Sequence, residues 1–161
     1  CNIASGNTST ISGGFKNTNN GTSSTIAGGQ ENITCNGCST VGGGILNVAT
    51  GQTSTIAGGC GNQATGTYAT IVGGRNNIAC FQSFVGGGRC NRSLGNYSSI
   101  DGGLSNSVCG NCSFIGGGNL NNITFSTNNS TIVGGSGNTI NQGSFSLIGG
   151  GEKNCMLSSN S

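Results

Sequence analysis

The chain has 161 residues, with 34 Gly and 9 Cys but no Pro, His or Trp, and its charged residues are five Lys or Arg and three Asp or Glu. Without His, no imidazole base, His metal ligand or Ser-His or Cys-His pair can form. The net charge of +2 gives no basic field for nucleic acid or anionic lipid. The longest apolar stretches are far shorter than the roughly 20 residues that cross a bilayer.

A sequence repeat runs through the whole chain. Each unit ends in Gly-Gly, and an Asn follows three residues later. We call the units coils 1–11 and number their positions so that Gly-Gly occupies positions 14 and 15. The spacing is 15 residues except for 14, 17 and 16 in coils 6, 9 and 10, and coils 1–10 end at Gly14, Gly29, Gly44, Gly59, Gly74, Gly88, Gly103, Gly118, Gly135 and Gly151. The repeat predicts one domain over residues 1–161, with a partial coil from Glu152.

Each coil is predicted to hold two short strands. Positions 1–5 form the first strand, with an Asn at position 3 and an often small residue at position 5 facing inward. A Gly near position 7 makes one corner. Positions 9–13 form the second strand, with Ser at position 10 and Ile or Val at position 12 facing inward, and Gly-Gly makes the other corner because Gly adopts positive φ at little cost.

These coils are too short for helical repeats, whose units need about 33 residues or more. The pattern predicts an all-β fold, a β-solenoid (a parallel β-roll or β-helix) of about eleven coils. At about 4.8 Å for each coil, the rod is roughly 50 Å long.

The Asn column is predicted to be structural. Inward amides can bond to the next coil or to corner backbone, as buried polar groups require, and Asn ladders occur in stacked β-structures. An Asn-lined binding groove is the alternative. We call this column the asparagine file: Asn2, Asn17, Asn32, Asn47, Asn62, Asn77, Asn91, Asn106, Asn121, Asn138 and Asn154.

Segments such as Ser54–Gly59 followed by Asn62–Gly66 resemble the repeats of phage-type tail-fibre proteins and the heads of trimeric autotransporter adhesins. That resemblance covers essentially the whole chain. It implies an extracellular fibre or adhesin, often trimeric, built as a β-roll. The coils are also similar to the grass ice-binding β-roll, which repeats Asn-x-Val-x-Gly.

Two pairs of cysteines follow the C-x-x-C pattern, Cys35 with Cys38 and Cys109 with Cys112. The pairs lie five coils apart, roughly 24 Å, so one zinc ion with ligands at about 2.3 Å cannot join them. Positions 6 and 9 are expected to flank a β-turn, within the distance that a disulfide spans. We therefore predict Cys35–Cys38 and Cys109–Cys112 disulfides.

The other five cysteines do not pair within an ideal roll. Cys1 and Cys155 lie in the terminal coils and are the candidates for an intermolecular disulfide. Cys60, Cys80 and Cys90 either join chains or remain half-buried thiols.

Nine Cys without His favour an oxidising compartment, and we expect an extracellular, cell-surface or virion-surface location. The candidate glycosylation sites are the corner sequons Asn7, Asn20, Asn96 and Asn111. Since the sequence begins at Cys1 without Met, a processed or excised piece is expected.

Two outward features are candidates for contacts. Position 11 presents a threonine file: Thr10, Thr25, Thr40, Thr55 and Thr70. Bulky outward residues are expected on the face of this same strand, and we call them the aromatic strip: Tyr68, Phe84, Tyr97, Phe114 and Phe145. The strip predicts lateral contact with another chain. The alternative is that these residues shield a thin roll.

Catalysis is not expected, because Glu31, Asp101 and Glu152 lie in different coils and form no carboxylate pair. No cofactor, metal, nucleic acid or membrane insertion is expected, whereas self-association and glycans are. The sequence predicts a structural subunit of an extracellular or virion-surface fibre that self-assembles through β-solenoid stacking, with intermolecular disulfides as a candidate further link. The alternative is an adhesin or an ice-binding roll that acts as a soluble binding module.

Overall fold

The computed structural model describes residues 1–157, and this part of the chain contains strands but no helix. Residues 158–161, the end of the predicted repeat domain, lie outside the described residues. The 21 strands, each of two residues, are β1 Ile3–Ala4, β2 Thr10–Ile11, β3 Thr18–Asn19, β4 Thr25–Ile26, β5 Ile33–Thr34, β6 Thr40–Val41, β7 Val48–Ala49, β8 Thr55–Ile56, β9 Gln63–Ala64, β10 Thr70–Ile71, β11 Ile78–Ala79, β12 Phe84–Val85, β13 Arg92–Ser93, β14 Ser99–Ile100, β15 Ser107–Val108, β16 Phe114–Ile115, β17 Asn122–Ile123, β18 Thr131–Ile132, β19 Thr139–Ile140, β20 Leu147–Ile148 and β21 Cys155–Met156.

The strands stack coil upon coil into two parallel sheets. The 11 odd-numbered strands form sheet A and the 10 even-numbered strands form sheet B, both in chain order. Every strand pairs with its equivalent in the next coil, as in the Thr40↔Thr55 pair of β6 and β8. The predicted β-solenoid is therefore confirmed, with about ten turns of mostly 15 residues and two strands in each turn.

The core is a narrow layer between the two sheets. Position 12 supplies Ile or Val that is fully buried in coils 2–9, and position 5 faces it from sheet A. Position 5 is Ala in coils 4–6 and Val or Ile in coils 8–10, all fully buried. Between these halves, the hydroxyls of Ser93 and Ser98 lie 2.7 Å apart and divide the apolar core into two clusters.

The asparagine file lies inside the rod from Asn17 to Asn138, whereas Asn2 and Asn154, in the outermost coils, are exposed. Asn62 is representative. Its Nδ2 donates to the carbonyl oxygen of Gly58, before the corner, at 3.1 Å and to that of Gly74, one coil further, at 3.0 Å. Its Oδ1 accepts from the backbone N–H of Asn77, the next member of the file, at 3.0 Å. Each inner side chain thus links two corners and the following strand.

The corner at position 7 differs from the prediction. Among the described residues, the one position-7 glycine with positive φ is Gly143 (96°), in the 16-residue coil 10. The left-handed residue of this corner is position 9, which is Thr53 (φ 57°) in coil 4 and Tyr68 (φ 58°) in coil 5.

The turn is closed by position 10, since Ser54 N–H and Oγ both donate to the Gly51 carbonyl, at 3.1 and 2.7 Å. Coil 4 needs Gly at position 7 because a Cβ on Gly51 would lie 1.8 Å from the Gly66 carbonyl oxygen of the next coil. Coil 3 carries Asn36 at the same position.

The predicted first strand over positions 1–5 is also interrupted. Position 1 forms an isolated parallel bridge, such as Ile45↔Cys60, and position 2 then adopts positive φ, as Leu46 does at 57°. Only positions 4 and 5 belong to sheet A. Likewise, the second strand is confined to positions 11 and 12. The extended segments are short because left-handed residues precede both strands, at positions 2 and 9.

We expect Asn62→Ala to lower the free energy of unfolding by about 2–4 kcal/mol, because the Gly58 carbonyl and the buried Asn77 N–H lose the partner that Asn62 supplies. The Gly74 carbonyl loses one of its two donors and keeps the N–H of Cys60. Gln63→Ala is the matched control, since the neighbouring Gln63 is exposed on sheet A. Its effect should stay within about 0.5 kcal/mol. Urea unfolding followed by circular dichroism measures both values, and equal effects would show that the file carries no stability.

Gly51→Ala should lower the free energy of unfolding by about 1–3 kcal/mol, because the new methyl group overlaps the next coil. Gly58→Ala is the control: a Cβ there meets nothing within 4 Å, and its φ is not positive. The same urea titration compares the two variants. A Gly51→Ala variant as stable as Gly58→Ala would refute the close-stacking explanation of position 7.

Candidate interaction surfaces

The outer face of sheet B carries the threonine file. Its five residues follow one another in register through the pairs of β2, β4, β6, β8 and β10. Thr10 is exposed and the other four are half-buried. Beyond the file, the same row of position-11 residues continues in register with Phe84, Ser99 and Phe114. One straight row of this sheet is therefore hydroxyl-bearing in coils 1–5 and aromatic in alternate coils beyond.

The aromatic strip occupies two rows rather than one strand face. Phe84 and Phe114 lie in sheet B at position 11. Phe84 is 36% exposed, and Phe114 is half-buried. Tyr68, Tyr97 and Phe145 instead occupy the left-handed position 9, next to the sheet, and are 58%, 62% and 81% exposed. The expectation that all five lie on one strand is wrong for these three, because position 9 belongs to the turn.

Leu147 extends this surface, although the sequence analysis did not single it out. It follows Thr131 in register at position 11 and is 64% exposed. An apolar residue at an outward position was the available signal. The apolar surface thus covers coils 5–8 and reappears in coil 10, with the polar Asn129 and Thr131 of coil 9 between.

The described cysteines all have free thiols. The predicted β-turn is displaced by one residue: Ser39 Oγ donates to the Asn36 carbonyl at 2.8 Å, so the turn covers residues 36–39. Cys35 therefore precedes the turn, and Cys38 is its left-handed third residue with φ 59°. Cys109 and Cys112 occupy the same two positions in coil 8. The two corner disulfides stay a prediction.

The remaining cysteines are distributed along the rod. Cys1 and Cys155 are exposed in the first and last coils, and the thiols of Cys60, Cys80 and Cys90 are half-buried. Thr65 Oγ1 lies 3.6 Å from Cys80 Sγ. The proposed link between Cys1 and Cys155 of different chains stays a prediction.

The four candidate glycosylation sites are exposed. Asn111 and Asn128 also form a short second ladder at the turn that the sequence analysis missed. The N–H of Asn96 donates to Asn111 Oδ1 at 2.8 Å, and that of Asn111 to Asn128 Oδ1 at 2.9 Å. Asn20 Oδ1 accepts from Ser5 Oγ at 2.7 Å.

The few charges are unevenly arranged. Lys16 lies 4.0 Å from Glu31, and Lys153 lies 3.3 Å from Glu152. Arg75 and Arg89 are bridged backbone neighbours at position 1 of coils 6 and 7, and Arg92 follows in β13; none of the three forms a salt bridge within residues 1–157. The acids Glu31, Asp101 and Glu152 lie in coils 3, 7 and 11.

Metal ligands, membrane-spanning helices and similar proteins were also sought. Over the described part of the chain, no three His, Cys, Asp or Glu side chains converge as metal ligands. No helix in residues 1–157 is long and apolar enough to span a membrane. Comparison with known proteins finds no protein-family model that matches the chain and no curated protein that it significantly resembles.

Proposed function

We propose that the chain is a structural subunit of an extracellular or virion-surface fibre, and that copies associate side by side through the aromatic strip together with Leu147. The observation that carries this proposal is the set of apolar side chains on the outside of coils 5–8 and 10. Contiguous exposed apolar surface on a soluble protein marks interaction sites. The regular stacking of the coils supplies the stiffness that a fibre needs.

The spacing of the strip favours a second copy of the same chain as the partner. Phe84 and Phe114 are separated in their row by the small Ser99. Their anchor points are therefore two coils, or about 9.6 Å, apart, which leaves room for one ring from a neighbour. Tyr68 and Tyr97 are likewise two coils apart in the adjacent row, with Gln82 between them. The alternation of ring and gap in the row of Phe84 and Phe114 is self-complementary, and charges that would oppose close approach are few.

The location and the covalent links belong to the same proposal. Nine cysteines, exposed sequons and the resemblance to tail-fibre and adhesin repeats support an extracellular or surface location. In an oxidising compartment, Cys35–Cys38 and Cys109–Cys112 disulfides would clamp two turns. Cys1 and Cys155 would join chains, and glycans would occupy Asn7, Asn20, Asn96 or Asn111.

Removing two rings of the strip tests the association. The double variant Tyr68→Gly/Tyr97→Gly should shift the protein towards the monomer, raising the apparent dissociation constant at least about tenfold. Gly is suitable because both residues have positive φ. The measurement is sedimentation velocity over a range of concentrations, with and without a reducing agent to separate disulfide-linked species.

The chain offers a matched control for this experiment. Leu46 and Leu120 are 50% and 59% exposed, have φ of 57° and 56°, and lie at the opposite corner of the coil. Leu46→Gly/Leu120→Gly should associate like the wild type. A monomeric wild type, or equal weakening in the two double variants, would overturn the proposed strip interface.

Ice binding is a second candidate, favoured by one observation: five Thr residues repeat in register on sheet B of coils 1–5. A regular row of hydroxyl and methyl groups on a parallel sheet presents a flat face of fixed spacing. If this face binds ice, the wild type should show thermal hysteresis that Thr40→Lys abolishes by interrupting the row. Absence of hysteresis and of recrystallisation inhibition in the wild type would remove this candidate. An adhesin role of the same rod is a further alternative.

A further inference from the structure

A groove of about 360 Å³ runs across the turns of four successive coils. It lies beside the turns at positions 6–8, and the aromatic strip does not line it. Its lining residues are Asn36 and Gly37 in coil 3, Gly51 and Gln52 in coil 4, Thr65 and Thr67 in coil 5, and Phe81 in coil 6. Four coils span three steps, or about 14 Å.

Two departures from the repeat build this groove. Coil 6 has 14 residues, and Phe81 follows Cys80 directly, whereas most other coils have a Gly between the two equivalent positions. The Phe81 side chain is 59% exposed and lies at one end of the groove. At the other end, Gly37 occupies position 8, where the neighbouring coils carry Thr22 and Gln52. The ring provides a wall, and the missing side chain leaves the space open.

The stacking of the coils does not require a glycine at residue 37. Gly51 must be Gly, because a Cβ would overlap the next coil. At Gly37, by contrast, φ is not positive, and the nearest atom to an added Cβ is the Thr22 carbonyl oxygen at an ordinary 3.5 Å. A larger side chain fits the fold at this position, so the opening is independent of the constraints that shape the rest of the rod.

Apart from Phe81, the side chains that line the groove are polar and uncharged, and several of their donors and acceptors form no hydrogen bond within the described residues. Among the described residues, the side chains of Gln52 and Thr67 make no hydrogen bond, and Asn36 uses only its Nδ2, which donates to the Thr50 carbonyl. Amides and hydroxyls supply both donors and acceptors. Phe81 adds a flat apolar face, and the lining contains no ionised side chain.

We infer that this groove binds a short, neutral oligosaccharide. Sugar hydroxyls both donate and accept hydrogen bonds, which matches Asn36, Gln52, Thr65 and Thr67. The C–H face of a sugar ring is apolar and flat, which matches the exposed ring of Phe81. The length and volume of the groove suit a ligand of a few sugar rings rather than a single small molecule. This inference is independent of the proposed fibre interface.

Binding of neutral trisaccharides to the full chain tests the inference. Cellotriose, maltotriose and chitotriose are titrated separately by isothermal calorimetry and by saturation-transfer NMR. At least one should bind saturably, with a dissociation constant between about 0.01 and 1 mM. Phe81→Ala should weaken that binding at least about tenfold by removing the stacking face, and Phe81→Tyr should retain it.

A second variant tests the groove without touching the ring. Gly37→Gln fills the opening with the side chain that coil 4 carries at this position, and it should weaken binding at least about tenfold. The controls are Phe125→Ala, which removes an exposed ring (74%) at the turn of coil 9, and Gly58→Gln, at a site with no atom within 4 Å of an added Cβ. Both should bind like the wild type.

Two results would overturn the inference. One is the absence of saturable binding of all three sugars to the wild type at up to about 10 mM. The other is unchanged binding in both Phe81→Ala and Gly37→Gln, with folding of each variant checked by circular dichroism. Sedimentation of the same samples reports association separately, so failure of sugar binding and failure of the strip interface are distinguishable.

Discussion

The asparagine file is the interaction on which the rest of the structure depends. Each inner side chain uses both amide protons and its oxygen to hold two corners and the next strand, as Asn62 does with Gly58, Gly74 and Asn77. Ser or Thr lacks the second donor proton, Asp lacks both, and Gln is one carbon longer. Backbone N–H groups also donate from coil to coil in the strands and at the corners. The file adds buried side-chain bonds that tie the corners to the strands inside the rod.

This inner regularity leaves the outer surface free to vary from coil to coil. Position 11 is Thr in coils 1–5 and then Phe, Ser, Phe, Thr and Leu in coils 6–10, without any change in the parallel pairing. The shorter coil 6 brings Phe81 to the turn while the sheets continue on either side. The threonine file, the aromatic strip and the groove are therefore different surfaces of one scaffold, which is why the proposals for them can be tested separately.

The phase of Asn, Ile and Gly-Gly was enough to predict the solenoid, because these residues repeat the contacts that hold it together. The left-handed residues at positions 2 and 9 were missed, since residues such as Lys16, Leu46 and Tyr68 rarely adopt positive φ. The residues that hinted at this conformation are Gly61, Asn76 and Gly137 at position 2 and Asn129 at position 9. The role of Gly51 depends on a neighbouring coil, and the groove depends on Gly37 and Phe81, which lie three coils apart. Neither is visible in one repeat read by itself.

The most direct test of the account is hydrogen exchange of Asn side-chain amides in the intact protein, measured by NMR. Asn77 is fully buried, and its Nδ2 donates to the carbonyls of Gly73 and Gly88, both at 3.0 Å. Asn7 is exposed at the turn. We expect the Asn77 side-chain protons to exchange at least about a hundredfold more slowly than those of Asn7, because exchange requires the stack to open. Equal rates for the two side chains would contradict the account.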